Sequence, residues 1–529
     1  MDLKKQLQIA QDFLNRGKII DAKKSFNKIL KKFPTNVDIL NVLASIELKQ
    51  NQRDNALSYL KKSLLINPNQ PMMLFNIAVC QIEEKNFLDS LESINKAIKI
   101  LPNTSNFYFT KAKAFFGLED FKSAEENYLK TIELDDKFEL AYLNLAHLYN
   151  IKTDFDSAIE VLQKLIKLNP SFVEAHYNLA ISFDNKKKFD KAIYHYEKVI
   201  NFDNSNLKAH YNLSILLLYT GSFEKGWREF EYRWNEIAKP DFTNLIPEYI
   251  NLNKNKNKNK NKNLLLWGEQ GIGDQILYSS MIQDLYFEGD LTIALDKRLI
   301  KIYENSFEKI QFIDLKNIEN INNYDEQLAI GSLGKFLRKT RESFKNQKKS
   351  FLKSNQQRTK YYRDALNKEN KIICGVAWKS KNNVIGHFKS IDLELLLPIF
   401  ETFPFKFVDL QYGETISERD SLENKYKIKI HNFDELDKFN DLDGLFSLID
   451  ACDLIVTSSN VTAHIAGALG KKTFLFIPYS FGAAWYWHDD NFIGWYPSVR
   501  IFRQTIQGCW DQPIQNICEE IKNFNTINF

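Results

Sequence analysis

The chain has 529 residues, which is too long for one hydrophobic core and predicts two to four domains. Its hydrophobic content of 44% and charged content of 26% are typical of a globular protein, and no run approaches the roughly 20 apolar residues of a membrane-spanning helix. Five lysines of one low-complexity segment account for the net charge of +4, which without them is 4 − 5 = −1. The folded parts therefore carry no basic surface for nucleic acid.

The cysteines and histidines indicate neither a disulfide framework nor a metal centre. Five cysteines are scattered without a C-x-x-C pair, and the eight histidines form no H-E-x-x-H motif. Reduced thiols of this kind are typical of the cytoplasm. Residues 1–5 lead directly into the first repeat without the pattern of a signal peptide. We therefore expect a cytoplasmic protein without a metal or another cofactor.

The first part of the chain repeats with a period of 34 residues. Small residues recur at two positions of the period, and a bulky residue stands four positions after the second. This pattern is typical of the tetratricopeptide repeat (TPR), a helix–turn–helix solenoid in which small residues let two helices touch. We predict a TPR superhelix over residues 1–236, with six full repeats and a terminal helix pair. The small residues are Ala10, Ala44, Ala78, Ala112, Ala146, Ala180 and Ser214, and then Ala22, Ala56, Ser90, Ala124, Ala158 and Ala192.

Asparagine recurs at one position of the first helices, at Asn76, Asn144, Asn178 and Asn212. In TPR arrays this position faces the concave groove. The four amides could hydrogen-bond an extended polypeptide, as a partner or an acceptor. Alternatively, asparagine is simply a frequent residue there.

The end of the repeats is followed by a change in composition. Residues 226–234 are unusually aromatic for a solenoid end and include Trp227 and Trp234, which we expect to dock the last repeat onto the next domain. Residues 253–263 then alternate lysine and asparagine and cannot bury apolar surface. We predict a solvated linker over residues 237–263.

Beyond residue 264, short apolar runs alternate with helical stretches, which predicts βα units and parallel sheets. We expect two Rossmann-like α/β subdomains, 264–355 and 356–529, with a helix over 356–367 bridging them. The predicted strands are 264–267, 291–295, 310–315, 372–378, 405–410, 454–457 and 473–477.

The first candidate site is a glycine loop between a strand and a helix. Gly271 and Gly273 would let backbone amides approach a ligand, and Asp274 and Gln275 follow them. A P-loop would need Lys and Ser/Thr there, and a dinucleotide-binding loop would need a small residue in place of Ile276. Asp274 is either a helix cap or a general base at the mouth of a cleft.

The second candidate site is the start of the helix after the strand 454–457. Hydroxyl, amide and imidazole groups gather there, at Ser459, Asn460, Thr462 and His464. Such a helix start suits a diphosphate. The alternative is a well-capped helix that packs tightly on its sheet.

Two lysines near the end of a strand, Lys379 and Lys389, could neutralise a leaving diphosphate, although most lysines are solvent-exposed. The pair Asp441 and Asp443 resembles a metal-binding D-x-D motif, but it precedes an amphipathic helix, so capping is the favoured interpretation.

Three segments together resemble bacterial TPR proteins with a glycosyltransferase-like C-terminal half. These segments are 269–274, 463–471 and 495–504. The C-terminal half is similar to the ADP-heptose:lipopolysaccharide heptosyltransferase family. The combination of repeats and transferase is also similar in architecture to protein O-linked N-acetylglucosamine transferases.

The heptosyltransferase resemblance implies a GT-B fold, with an acceptor subdomain (264–355), a nucleotide-sugar donor subdomain (356–529) and no metal. It also implies that Asp274 is the base and that Ser459, Asn460, Thr462 and His464 bind the donor diphosphate, with Lys379 or Lys389 as the loop lysine. The family often has Asp-Thr where this chain has Ser459-Asn460. The resemblance therefore does not identify the donor.

The leading hypothesis is an inverting glycosyltransferase that moves a sugar from a nucleotide diphosphate to an acceptor hydroxyl, with the repeats recruiting a polypeptide. The rival hypothesis is a non-catalytic TPR scaffold with a degenerate transferase-like half. A dinucleotide-binding enzyme is disfavoured by Ile276.

Limited proteolysis with trypsin should cut first between Asn251 and Asn263, because the Lys/Asn run cannot be held by apolar packing. Mass spectrometry of the first fragments measures this. First cuts inside the repeats would contradict the predicted linker.

Overall fold

The computed structural model describes residues 3–235, 237–249, 262–287, 289–369, 371–382, 384–480, 482–488, 492 and 494–525. It divides into two compact units, Met1–Lys186 and Lys187–Phe529. This boundary lies inside the repeats, whereas the sequence predicted a boundary at residue 236. Residues 250–261 of the predicted linker lie outside the described residues, and with them nearly all of the predicted cleavage segment.

The first unit consists of antiparallel helix pairs, as the 34-residue period predicts. Its helices are α1 (Leu3–Asn15), α2 (Ile19–Leu30), α3 (Val37–Lys49), α4 (Arg53–Ile66), α5 (Pro71–Glu83), α6 (Phe87–Ile100), α7 (Ser105–Gly117), α8 (Phe121–Leu134), α9 (Glu139–Ile151), α10 (Phe155–Leu168) and α11 (Val173–Asn185). The predicted small residues are buried between paired helices. The hydroxyl of Ser90 on α6 donates to the carbonyl of Ala78 on α5 at 2.9 Å, so these helices nearly touch.

The turn inside each helix pair contains one residue with positive φ. Gly17 and Gly221 take this conformation at no steric cost in the first and last pairs. Five other residues adopt it without being glycine, each at the corresponding repeat position. They are Asn51, Lys85, Glu119, Thr153 and Lys187. Helix packing on both sides therefore enforces a turn that the side chains of Lys85, Glu119, Thr153 and Lys187 do not favour, whereas asparagine at position 51 tolerates it.

The second unit contains the last repeat helices and all the strands of the described residues. Its helices and strands are α12 (Phe189–Phe202), α13 (Leu207–Thr220), α14 (Phe223–Phe230), β1 (Asn263–Trp267), α15 (Ile272–Ser279), β2 (Asp290–Leu295), α16 (Lys297–Ser306), β3 (Gln311–Asp314), β4 (Glu326–Ala329), α17 (Gly334–Leu337), α18 (Gln356–Leu366), β5 (Ile373–Ala377), α19 (Gly386–Lys389), α20 (Leu397–Thr402), β6 (Lys406–Asp409), α21 (Ile416–Tyr426), β7 (Ile430–His431), α22 (Leu442–Ala451), β8 (Leu454–Ser458), α23 (Val461–Ala468), β9 (Thr473–Ile477), β10 (Val499–Arg503) and α24 (Asp511–Asn525).

The strands form two parallel sheets, as predicted. One has the order β3-β2-β1-β4 and the other the order β10-β9-β8-β5-β6-β7. All seven predicted strands are present. The sequence missed β4 and β7, which are short, and β10, in which charged residues interrupt the apolar run. Parallel sheets covered by helices place the carboxyl ends of their strands at one edge, where α/β proteins bind ligands.

The helix α18 packs beside α22, and the two acidic residues of the D-x-D pair explain the contact. The Asp441 side chain accepts from the Gly444 N–H at 2.9 Å and so caps α22, as expected. Arg358 on α18 donates to Asp441 at 2.9 Å and to Asp443 at 3.1 Å. Both carboxylates are therefore engaged in structural contacts.

The last repeat belongs to the second unit because its aromatic end is part of that unit's core. Trp227 is 1% exposed, and its Nε1–H donates to the Arg338 carbonyl at 2.8 Å. Its ring packs edge-to-face on Trp485, with the ring centroids 5.5 Å apart. The ring of Trp234 lies 5.1 Å from that of Trp267 on β1. Both tryptophans therefore dock the repeat end onto the α/β part, as the sequence predicted.

Replacing Trp227 by alanine should lower the free energy of unfolding of the second unit by about 3–5 kcal/mol, because it leaves a cavity in the shared core. All eight tryptophans of the chain lie in this unit, so the fluorescence of the remaining seven follows its denaturation alone. The exposed residue Leu245 is the control, and Leu245→Ala should change stability by less than about 0.5 kcal/mol. Equal effects of the two variants would contradict the docking role.

Candidate functional site

The glycine loop between β1 and α15 holds Asp274 at the first turn of the helix. Gln270 has a left-handed backbone with φ of 57°, and the N–H of Gly271 donates to the Asp274 carboxylate at 3.2 Å. The pKa of Asp274 is raised to about 6, chiefly by burial and also by the Glu269 carboxylate, while the Gly271 N–H and Lys389 lower it. The side chain is only half-buried. Asp274 thus makes a capping contact and also has a pKa not far below neutral pH, which suits a general base.

The structure brings the two predicted motifs together. Gly273 of the loop lies so close to His464 on α23 that a Cβ atom at Gly273 would stand 2.8 Å from the His464 ring. Glycine is therefore required by contact between the motifs. The Nδ1 atom of His464 lies 3.0 Å from the Tyr496 hydroxyl. Burial, and then Lys389, lower the pKa of His464 to about 3, so the imidazole is neutral at physiological pH.

The start of α23 is built from polar groups that mostly bond to one another. The Asn460 side chain caps the helix by accepting from the Thr462 N–H at 2.9 Å, and it donates to the Lys379 carbonyl at 3.1 Å. Trp487 donates its Nε1–H to the Ser459 hydroxyl at 2.9 Å. Thr462 is fully buried, and its hydroxyl has no hydrogen-bond partner among the described residues.

The two candidate lysines have different environments. Lys379 is 41% exposed and forms an ion pair with Glu418. Lys389 is only 9% exposed, and burial lowers its pKa, while Asp274 opposes that shift. Within the described part of the chain, Lys389 has no carboxylate within ion-pair distance. Its charge also acts on both Asp274 and His464, so Lys389 is the lysine that faces the two motifs.

The third residue of the predicted cleft loop, Gln275, is buried and makes contacts that hold the loop in place. Its side-chain oxygen accepts from the Asp296 N–H at 2.9 Å. The side chain also lies where a Cβ atom at Gly268 would stand. Gln275 therefore ties the glycine loop to the end of β2.

A cavity of about 270 Å³ lies at the carboxyl ends of β6 and β7, and sequence reasoning missed it. Lys438 and Arg419 line it and pair with the fully buried Asp409, at 3.1 and 3.2 Å. Glu414, Asp434 and Asp437 line it as well, so its wall carries charges of both signs. Gln411 lines the same cavity and accepts from the N–H of Lys379 at 2.8 Å, so the cavity adjoins the start of α23.

Sequence reasoning also missed the contacts that the repeat end makes with the site. Arg233 donates to both carboxylate oxygens of Glu269 at 2.7 and 2.8 Å, directly before the glycine loop. Tyr211 on α13 stacks on Phe230, with ring centroids 6.3 Å apart. The ring of Phe230 in turn packs against that of Tyr278 on α15, with centroids 6.5 Å apart. The concentration of tryptophan, arginine and tyrosine near residue 230 was visible in the sequence. Their partners could not be predicted, because they lie far along the chain.

The asparagines of the predicted groove share one repeat position and are half-buried. The amide groups of Asn144 and Asn178 donate to the carbonyls of Leu140 and Glu174 in their own helices, at 2.7 and 2.8 Å. Their side-chain oxygens are the atoms placed to accept from a polypeptide N–H. Asn76 lies with these two in the first unit, and Asn212 lies in the second.

The described residues contain neither a candidate metal site nor a candidate membrane-spanning helix. No group of three or more His, Cys, Asp or Glu side chains there is arranged to hold a metal ion. No helix among these residues has both the length and the apolar composition needed to cross a bilayer.

Comparison with protein families identifies the repeats. Families described as tetratricopeptide repeat match residues 7–71, 105–138 and 174–202, and one described as TPR repeat matches residues 147–187. The N-terminal region is therefore a TPR array, and such repeats commonly mediate protein–protein interaction.

Among curated proteins, the chain is similar to Protein FlbA of Caulobacter vibrioides, with 27% identity over 328 residues. The match covers 58% of this chain and 54% of FlbA, so the chain spans about half the length of this relative.

Among solved structures, it is similar to a tetratricopeptide repeat protein from Parabacteroides merdae, with 19% identity. That match covers 45% of this chain and 94% of the other, at a TM-score of 0.37. It is also similar to YrrB, described as a TPR protein with an unusual peptide-binding site, with 16% identity, 35% and 96% coverage and a TM-score of 0.31.

The raised pKa of Asp274 predicts a pH-dependent stability that Asp274→Asn removes. Because the pKa is about 6 in the folded chain and 3.8 in the unfolded chain, ionisation disfavours the folded state increasingly between these pH values, and fully above pH 6. Asparagine cannot ionise. The Tm of Asp274→Asn minus the Tm of wild type should therefore be larger at pH 7.5 than at pH 4. Scanning calorimetry across this range measures the difference, and a Tm difference independent of pH would contradict the assigned shift.

Proposed function

We propose that the second unit is an inverting, metal-independent glycosyltransferase of the GT-B type. It would move a sugar from a nucleotide diphosphate to an acceptor hydroxyl, and the TPR repeats would recruit a polypeptide acceptor or partner. The observation that carries the proposal is the convergence of the glycine loop and the start of α23, where Gly273 contacts His464 and Lys389 acts on Asp274.

The proposed reaction is a single displacement. Asp274 takes the proton of the acceptor hydroxyl while the oxygen of that hydroxyl forms a bond to the anomeric carbon. The bond between that carbon and the diphosphate oxygen breaks, and the electron pair leaves with the diphosphate. A carboxylate with a pKa of about 6 is ionised at neutral pH and still accepts a proton readily.

The leaving diphosphate would gain negative charge in the transition state. Lys389 is buried and has no ion-pair partner among the described residues, so its charge is available to stabilise that charge in a site of low polarity. The N-terminus of α23 adds the partial positive charge of a helix start. Lys379 is already paired with Glu418, so we assign the lysine role to Lys389.

The nucleotide would occupy the cavity at the ends of β6 and β7. The cavity is connected to the start of α23 through Gln411 and the backbone of Lys379. Its wall carries the cations Arg419 and Lys438 together with the carboxylates Glu414, Asp434 and Asp437. This edge of a parallel sheet is where α/β proteins bind ligands.

A polypeptide acceptor is supported by the contact between the last repeat and the site. Tyr211 on α13 packs, through Phe230, against Tyr278 on the helix that begins with the glycine loop. A chain held along the face of α13 would lie beside that helix.

The second candidate is a non-catalytic TPR scaffold, and one observation favours it. Ser459 and Asn460, at the proposed donor site, are bonded to Trp487 and to the Lys379 backbone. A donor would need to displace or complement these contacts. Donor binding therefore separates the two candidates.

The donor experiment is a thermal-shift screen of the full chain with ADP, GDP, UDP and their sugar conjugates. Stabilisation by one nucleotide diphosphate class supports the transferase. A chain with no response to any of them would favour the scaffold.

With the donor found by this screen, Asp274→Asn should lower the rate of sugar transfer about 10²–10⁴-fold, because the general base is lost. Binding of the nucleotide diphosphate, measured by calorimetry, should stay close to wild type. The matched control is Asp89→Asn, since Asp89 occupies the same position in the first turn of α6 and is exposed. Transfer at the wild-type rate by Asp274→Asn would end the proposed mechanism.

A further inference from the structure

The last turn of the repeats inserts one buried arginine beside the candidate base. Arg233 follows α14 and is 0% exposed. Its Nε and Nη2 groups donate to the two carboxylate oxygens of Glu269 at 2.7 and 2.8 Å. Glu269 is itself buried and stands at the start of the glycine loop that carries Asp274. The contact therefore joins the repeat end to the loop through two parallel, charged hydrogen bonds.

The arginine is held from all sides, so its position is fixed. Its Nη1 group donates to the Phe230 carbonyl and to Glu231, each at 3.0 Å, and its Nη2 group also donates to the Ser332 hydroxyl at 2.8 Å. The Trp234 ring lies 4.0 Å from the guanidinium carbon. Lysine could not reproduce these contacts, because it lacks the planar fork of arginine.

Glu269 is fixed in the same way. Besides Arg233, it accepts from the N–H of Gly331 at 2.9 Å, and a Cβ atom at Gly331 would collide with its carboxylate. The glycine loop is thus clamped between the repeat end and the segment after β4. A buried ion pair adds little net stability on average, so its charge and geometry are the properties that matter here.

The electrostatic surroundings of Asp274 make this geometry relevant to chemistry. Of the charged groups that act on it, Glu269 raises its pKa and Lys389 lowers it. Three phenols, of Tyr278, Tyr486 and Tyr496, also interact with Asp274, and His464 lies across Gly273. Glu269 is thus the carboxylate that acts on Asp274, and Arg233 is its counter-charge.

We propose that Arg233 is a positioning residue of the active site: it fixes and neutralises Glu269, and thereby sets the place and the proton affinity of Asp274. This inference rests on the proposed function. It means that the last repeat is part of the catalytic unit, because an α/β part cut off after residue 236 would contain Glu269 without its counter-charge. The repeats would then do more than recruit a partner.

The test uses the full chain labelled with ¹³C at the aspartate carboxyl carbons. The resonance that Asp274→Asn removes belongs to Asp274, and its titration gives the pKa without any ligand. In the double variant Arg233→Met/Glu269→Gln, this pKa should fall by about half a pH unit or more, because Glu269 is the member of the pair that raises it. In Glu269→Gln it should fall further, because Arg233 then keeps Glu231 but loses the carboxylate on the side of the glycine loop.

The control is the double variant Arg338→Met/Asp284→Asn, which removes another ion pair of the same unit, 2.5 Å long. It should leave the Asp274 titration unchanged. A wild-type titration curve in Arg233→Met/Glu269→Gln would overturn the inference. Asp274→Asn transferring sugar at the wild-type rate would instead overturn the proposed function, so the two failures are distinguishable.

If the double variant does not fold, Arg233→Lys keeps the positive charge and tests the geometry. Hydrogen exchange measured by mass spectrometry should then be at least about tenfold faster for the amides of the glycine loop, while the sheets exchange at wild-type rates. A uniform change across the unit, or no change in the loop, would overturn the inference.

Discussion

The ion pair between Arg233 and Glu269 is the contact on which the arrangement of the second unit depends. It is buried, bidentate and formed between a repeat residue and the loop before α15. Without Arg233, Glu269 would be a buried charge without compensation, which costs several kcal/mol. The pair therefore requires the repeat end to be docked whenever the glycine loop is in place. Trp227 and Trp234 supply the apolar surface that makes this docking favourable.

Close approach is the second constraint, and it acts through Gly273. Because no Cβ atom fits beside His464, the loop and α23 can meet only with glycine at this position. Burial keeps the imidazole neutral, and the charge of Lys389 acts on both Asp274 and His464. The site thus combines a carboxylate, an ammonium and a neutral imidazole in different electrostatic states.

The regular part of the fold could be predicted from the sequence. The 34-residue spacing predicted the helix pairs, since a small residue is needed wherever two helices touch, and Ser90 contacts Ala78 as expected. Apolar runs predicted seven strands of two parallel sheets. The sequence missed β10 because Arg500 and Arg503 interrupt its apolar pattern, and it missed β7 because two residues form no pattern. The left-handed turn at Glu119 was also invisible, because glycine is absent there.

The candidate residues were predicted one by one, but only the tertiary structure decided how they combine. Local sequence placed Asp274 at a helix start and Asn460 at another, because strand, polar loop and small-residue helix are local patterns. It left Lys379 and Lys389 equivalent, and the fold separated them by pairing the first with Glu418 and burying the second. The sequence contained no sign that Arg233 pairs with Glu269. It also predicted a domain boundary after the repeats, whereas the two compact units of the structure divide within them. Periodicity and capping depend on neighbours in the chain, whereas charge compensation and close packing depend on residues brought together from far apart.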